Sequence, residues 1–248
     1  MGDWPYPFWI AHRGAGKLAP ENTMAAFRLG ARHGYKAFEC DVKLSADGVP
    51  FLLHDDTLDR TTSAKGAAGS WPWAQLSLLD AGSWHSEPYA GEPPASFEAI
   101  ASFCVANGFA LDLEIKPSPG TESATGRAVG EWVRRLWHGP APLLSSFKTQ
   151  ALAGARETAP QLPRALLLDT LWPGCMDMAA SLDCVAIITN HQLMDAALLS
   201  QIHRASRRAL VYTVNDAARA DELIALGIDG IVTDAVDCLG PQDPKRPG

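Results

Sequence analysis

The chain has 248 residues, 47% of them apolar, enough for one α/β barrel, which needs roughly 250, with no linker to divide it. A net charge of −7 argues against a binder that follows a nucleic-acid backbone, and no run of about 18 uncharged apolar residues suggests a membrane span. Cys40, Cys104, Cys175, Cys184 and Cys238 form no CxxC pair, so neither a disulfide framework nor a zinc site is indicated, and buried free thiols in a reducing cytosol are expected.

The chain starts with MGDWPYPF, which carries an acid at Asp3 and two prolines but no basic stretch, so a secretory signal is not expected and a cytoplasmic location is. Short apolar runs then alternate with helical patterns. Strands are predicted over residues 8–13, 37–42, 109–115, 143–146, 164–168, 184–189, 209–214 and 230–233. Eight strands in this length favour an α/β fold closed into a barrel, with residues 1–248 as a single domain. Asn22 is placed to cap a helix through Ala25, Phe27, Leu29 and Ala31 that stops at Gly34, and His33 then sits structurally in its last turn. Residues 55–94 break the alternation with four prolines and three tryptophans; they are read as a small insertion after strand two that shapes the site entrance. Trp71, Trp73 and Trp84 are expected in a satellite apolar cluster there. Asp216 and Asp234 follow the last two strands and have the look of helix caps, and the polar tail from Gly240 reads as a frayed end.

The chemistry gathers at strand ends. Alternate residues of a strand share a face, so Glu39 projects with Asp41, and Glu114 with Lys116, while Leu111, Leu113 and Ile115 turn to the helices. In α/β barrels the reacting groups lie at the C-terminal strand ends, where His12, Arg13, Glu39, Asp41, Glu114 and Lys116 all fall. Three hard oxygen donors, Glu39, Asp41 and Glu114, suit Mg²⁺ or Ca²⁺. With one such cation, Arg13 and Lys116, they leave a single positive charge, which a phosphodiester monoanion neutralises. His12 and His54 can serve as acid and base near neutral pH.

The stretches HRG with APENT, FECDVKLSADGVPFLLHDDTLDRTT, LDLEIKP, VYTVN and DGIVTDA resemble the glycerophosphodiester phosphodiesterase family from first strand to last, and WPYP, LLSSF, LLLD and VYTVND are most similar to its cytosolic bacterial enzymes. The resemblance implies a TIM (β/α)8 barrel with a small insertion after strand two. It also implies hydrolysis of glycerophosphodiesters to sn-glycerol 3-phosphate and an alcohol. It assigns Glu39, Asp41 and Glu114 to a divalent metal, His12 and His54 to acid and base, and Arg13 and Lys116 to the phosphate. Tyr212 stands where many members carry tryptophan, and Phe147 is a second aromatic wall for substrate. Glu21 and Asn22 have a supporting role, and Asp59 is a candidate to orient His54. The implied partner is a small-molecule glycerophosphodiester rather than nucleic acid or membrane, with broad tolerance on its alcohol side. Two alternatives are a related phosphodiesterase releasing a cyclic phosphate and a non-catalytic phosphodiester binder; oligomeric state has no signature.

Overall fold

The structure, a computed structural model, describes residues 4–242. Its strands are β1 (Trp9–Ala11), β2 (Ala37–Leu44), β3 (Pro50–Leu52), β4 (Ala110–Ile115), β5 (Leu143–Ser146), β6 (Arg164–Leu168), β7 (Cys184–Asn190), β8 (Arg208–Tyr212) and β9 (Gly230–Thr233). The helices are α1 (Met24–Arg32), α2 (Trp73–Leu76), α3 (Phe97–Asn107), α4 (Glu122–Leu136), α5 (Thr149–Thr158), α6 (Cys175–Ser181), α7 (Ala196–Arg204) and α8 (Ala217–Leu226). All strands but β3 pair in parallel with their neighbours, and β1 pairs with both β2 and β9, so eight strands close into a TIM barrel. Every predicted strand is present. The ninth, β3, runs antiparallel to β2 and escaped the sequence reading because its three residues are too few to show a period.

Strand parity sorts the core into two compartments. Phe38, Cys40, Val42, Leu111, Leu113 and Ile115 belong to the layer between strands and helices, while Ile10, Leu143, Leu167, Ile188, Leu210 and Val232 fill the barrel interior. Each such leucine or isoleucine, once buried, contributes about 1.5–3 kcal/mol. Among the described residues no helix is long and apolar enough to cross a membrane.

Several expectations need correction. Thr23, not Asn22, caps α1: its side chain accepts from the Ala26 N–H, while Asn22 has φ 60° and points elsewhere. His33 is the C-cap of that helix, as its structural reading requires. Asp216 caps α8, but no helix follows Asp234 among the described residues. The tail is held at its start, since Gln242 donates to the His33 carbonyl at 2.8 Å and Gly240 lies against the Tyr35 ring; the rest of it, residues 243–248, and Asp3 at the other end lie outside the described residues. Four cysteines are buried, but Cys238 is exposed.

The insertion has its own small core of Phe51, Leu53, Leu58, Ala68 and Leu76, against which Trp71 and Trp73 pack. Trp84 stands apart from that cluster. It lines a cleft with His12, Glu21 and His85, under the Arg60 guanidinium 6.0 Å from its ring.

Candidate active site

The mouth of the barrel is assembled from strand register. Asp41 on β2 lies directly beside Glu114 on β4, and Glu39 beside Asp112. One carboxylate oxygen from each of Glu39, Asp41 and Glu114 falls within 4.8 Å of the others, and all three residues are buried. The β2–β3 hairpin folds back so that the Leu53 N–H donates to the Asp41 carbonyl at 3.0 Å, which places His54 at the same mouth. From β1, the His12 N–H bonds to the Thr233 carbonyl on β9 at 3.0 Å. Arg13 follows with φ 51°, a left-handed backbone that few non-glycine residues adopt, and its N–H donates to Glu39 Oε2 at 3.0 Å.

Both histidines are held by carboxylates. His12 Nδ1 lies 2.6 Å from Asp234 Oδ1, with its Nε2 3.7 Å from Glu39 Oε2. Gly16 makes this possible, since a Cβ there would stand 2.1 Å from the Asp234 carbonyl oxygen. Asp234, read from the sequence as a cap, is thus a site residue. His54 Nδ1 is 2.8 Å from Asp55 Oδ1, so Asp55 orients it, whereas Asp59 accepts from the Gly66 N–H instead. Spacing in the sequence selects neither partner: Asp234 is 222 positions from His12, and HDDTLD offers several acids.

Arg60, on the insertion, joins the two sides. Its guanidinium donates to both oxygens of Asp55 and both of Glu21, and Glu21 Oε1 in turn accepts from Arg13 Nη1 at 2.8 Å. Asn22 supports Asp41 twice, donating to Oδ2 at 2.8 Å and accepting its N–H at 3.1 Å. The supporting role expected of Glu21 and Asn22 is therefore what their contacts show, and Arg60 joins them unforeseen. Lys116 Nζ is 3.0 Å from Glu114 Oε1 and 3.8 Å from Asp41 Oδ1. Phe147 and Tyr212 meet edge to face at 5.7 Å, and the Tyr212 hydroxyl donates to the Leu168 carbonyl.

These groups surround a cavity of about 180 Å³ lined by His12, Arg13, His54, Lys116, Phe147 and Tyr212, with Leu167, Ile188 and Val232 below. Every residue assigned to the metal, to proton transfer or to the substrate lines this cavity except Asp41, which is fully buried; Glu21, Asn22 and Asp59 do not line it. Burial, reinforced by Asp41, pushes Glu114 up to about 8, and burial with the charges of Asp41 and Glu114 raises Glu39 well above the usual range. Burial would raise Asp41 too, but Arg13, Lys116 and His54 outweigh it and hold it low. Asp112, deeper in the barrel, is raised by burial to about 7 against the hydrogen bond it accepts from Ser145 at 2.6 Å.

Three buried carboxyls, Asp41 held ionised and Glu39 and Glu114 resisting ionisation beside it, with Glu39 Oε1 accepting no hydrogen bond, form a donor set that a divalent cation fits. Beside it stand two oriented imidazoles and two cations. A barrel with such a mouth is an enzyme scaffold that can hold a metal ion and an oxyanion side by side.

Residues 12–238 match the glycerophosphoryl diester phosphodiesterase family. A glycerophosphodiester phosphodiesterase of Caldanaerobacter subterraneus is 29% identical over 93% of this chain and 95% of its own. The Bacillus subtilis relative YhdW, which carries the same activity provisionally in its name, is 32% identical over the same shares. Among solved structures, a phosphodiesterase from Oleispira antarctica in complex with the product sn-glycerol-3-phosphate has a TM-score of 0.89 and 34% identity, covering 93% of this chain and 94% of that one. The chain belongs to the glycerophosphoryl diester phosphodiesterase family.

Proposed function

We propose that this chain hydrolyses glycerophosphodiesters through His12, His54, Arg13 and Lys116 around a divalent cation, Mg²⁺ or Ca²⁺, held by Glu39, Asp41 and Glu114. Water and the diester give sn-glycerol 3-phosphate and an alcohol: one P–O bond to the alcohol breaks, one to the water oxygen forms, and a proton reaches the departing oxygen. The observation that carries this reading is the meeting of three buried carboxylates within 4.8 Å of one another with two carboxylate-held histidines at one barrel mouth.

When bound, the cation supplies charge stabilisation for phosphate oxygens. Arg13 and Lys116 bind those oxygens, Arg13 as a planar donor fork and Lys116 as a point charge. Asp234 and Asp55 occupy the Nδ1 positions of His12 and His54, which leaves each Nε2 for proton transfer, one taking the proton of the attacking water and the other supplying the alcohol. Phe147 and Tyr212 wall the substrate. The whole chain, insertion included, acts as one catalytic domain on a small molecule. Four buried thiols and the charge of −7 support a cytoplasmic enzyme that does not act on nucleic acid.

The test is release of glycerol 3-phosphate from glycerophosphocholine and glycerophosphoethanolamine with Mg²⁺, with Ca²⁺ and with excess chelator. Turnover that chelation abolishes is expected; turnover that survives full chelation removes the metal from the reading, and none under any condition removes the hydrolase.

A further inference from the structure

Next to the central cavity lies a second cleft of about 270 Å³, which shares His54, Glu114, Lys116 and Phe147 with it. Lys43 lines this cleft. On β2 it has the parity of Glu39 and Asp41, one step nearer the C-terminal end, and its side chain is only 2% exposed. Burying an ammonium is costly unless it is paired. Its Nζ donates to Asp56 Oδ1 at 2.9 Å and to the Lys116 carbonyl at 3.4 Å, two of the three hydrogen bonds an ammonium can make. Nothing in the hydrolytic machinery uses Lys43.

The charge of the cleft follows from its pairings. Within the lining Glu114 is paired with Lys116 and Asp56 with Lys43, while the Arg60 fork holds Asp55; Lys148 at the rim has no carboxylate partner in the lining, and Glu122, outside it, is the acid that acts on it. Phe147 is the aromatic ring of the cleft, and Lys116 Nζ already stands 5.6 Å from its centroid. A quaternary ammonium, which is recognised by uncovered aromatic faces, has no cage here.

A phosphodiester has two arms. With the phosphate at Arg13 and Lys116, there is room for one arm in the central cavity above Leu167, Ile188 and Val232 and for the other past Lys116 and His54 in the cleft. Resting on the hydrolase reading above, we propose that this cleft seats the departing alcohol, and that Lys43 and Lys148 make it favour alcohols carrying a phosphate or carboxylate over those carrying a quaternary ammonium. Tolerance among cationic alcohols, choline and ethanolamine alike, is compatible with that preference.

The experiment compares kcat/KM for a glycerophosphodiester whose departing alcohol is glycerol phosphate with that for glycerophosphocholine, at one ionic strength. It uses the wild type and the variants Lys148→Glu, Asp56→Asn and Lys36→Glu, the last a charge reversal just before β2 at the opposite end of the barrel. The wild type favours the phosphate-bearing alcohol. Lys148→Glu lowers the ratio by about tenfold, Asp56→Asn raises it by freeing the Lys43 charge, and Lys36→Glu leaves it in place. A ratio that moves in neither cleft variant, or that moves as much in Lys36→Glu as in Lys148→Glu, overturns the assignment of the alcohol to this cleft. Wild-type protein that turns over neither substrate overturns the hydrolase reading and takes this inference with it.

Discussion

The barrel interior differs from one side to the other. On β2 and β4 the inward side chains beyond Ala37 and Ala110 are Glu39, Asp41, Lys43, Asp112 and Glu114, all ionisable and all buried; on β6 to β9 they are Ala165, Leu167, Ala186, Ile188, Leu210 and Val232. The apolar wall is stabilised by burial itself, at about 25 cal/mol per Å². The charged wall is not, and it persists because Arg13, Lys116 and Asn22 hold its carboxylates and a cation fits among them. One wall fills the barrel while the other concentrates uncomfortable charge at the mouth, where chemistry can use it.

That contrast can be broken from the charged side first. His12→Ala, a change at the mouth, is expected to lower kcat by about 10²–10⁴-fold while thermal unfolding stays close to wild type; a variant with near-normal turnover would remove His12 from the reaction. On the apolar wall the outcome reverses. Leu210→Ala, at a fully buried position, should cost about 2–5 kcal/mol in denaturant unfolding. Its Mg²⁺ or Ca²⁺ affinity, measured on the folded fraction by calorimetry, should be that of the wild type, and a loss of affinity would mean that the two walls are not separable.

Asn22→Ala sharpens the comparison within the charged wall, since it removes the amide that holds Asp41 without touching a donor oxygen. Cation affinity should fall by about 10–100-fold, readable by titration calorimetry, with little change in unfolding of the metal-free protein.

The smallest effect is a pH dependence. A carboxyl whose folded pKa is raised binds its proton more tightly when folded, so the stability it contributes is present below its ordinary value and is lost as pH rises through the folded one. For Glu114 that window runs from 4.5 to about 8, and Glu39 shifts in the same direction. Metal-free protein should therefore lose stability across this window. Added Mg²⁺ or Ca²⁺ should raise Tm by about 2–4 °C more at pH 8 than at pH 6; an equal gain at both would show that these carboxyls are already ionised at pH 6.

Much of this site was legible in the sequence because strand parity is local. Glu39 with Asp41, and Glu114 with Lys116, share a face whatever the rest of the chain does, and the eight strands announced themselves by composition and alternation. The same parity reached Lys43, which the motif reading passed over because it lies one step beyond the recognised carboxylates. Short-range capping was legible at Asp216 but not at Thr23, because Asn22 and Thr23 are both good caps and the choice was made by Asp41, which draws Asn22 away from α1.

By itself, then, the sequence determined which side chains face inward, that the strands close a barrel, and which family the chain resembles, since each follows from period, length or motif along the chain. Only the tertiary structure decided the partners: Asp234 for His12, Asp55 rather than Asp59 for His54, and Arg60 as the bridge between Glu21 and Asp55. The physical reason is barrel closure. It brings β9 beside β1 and folds the insertion over the mouth, so that charges far apart in the chain meet at hydrogen-bonding distance, where direction and separation, not spacing in sequence, settle which of several available acids a given base will hold.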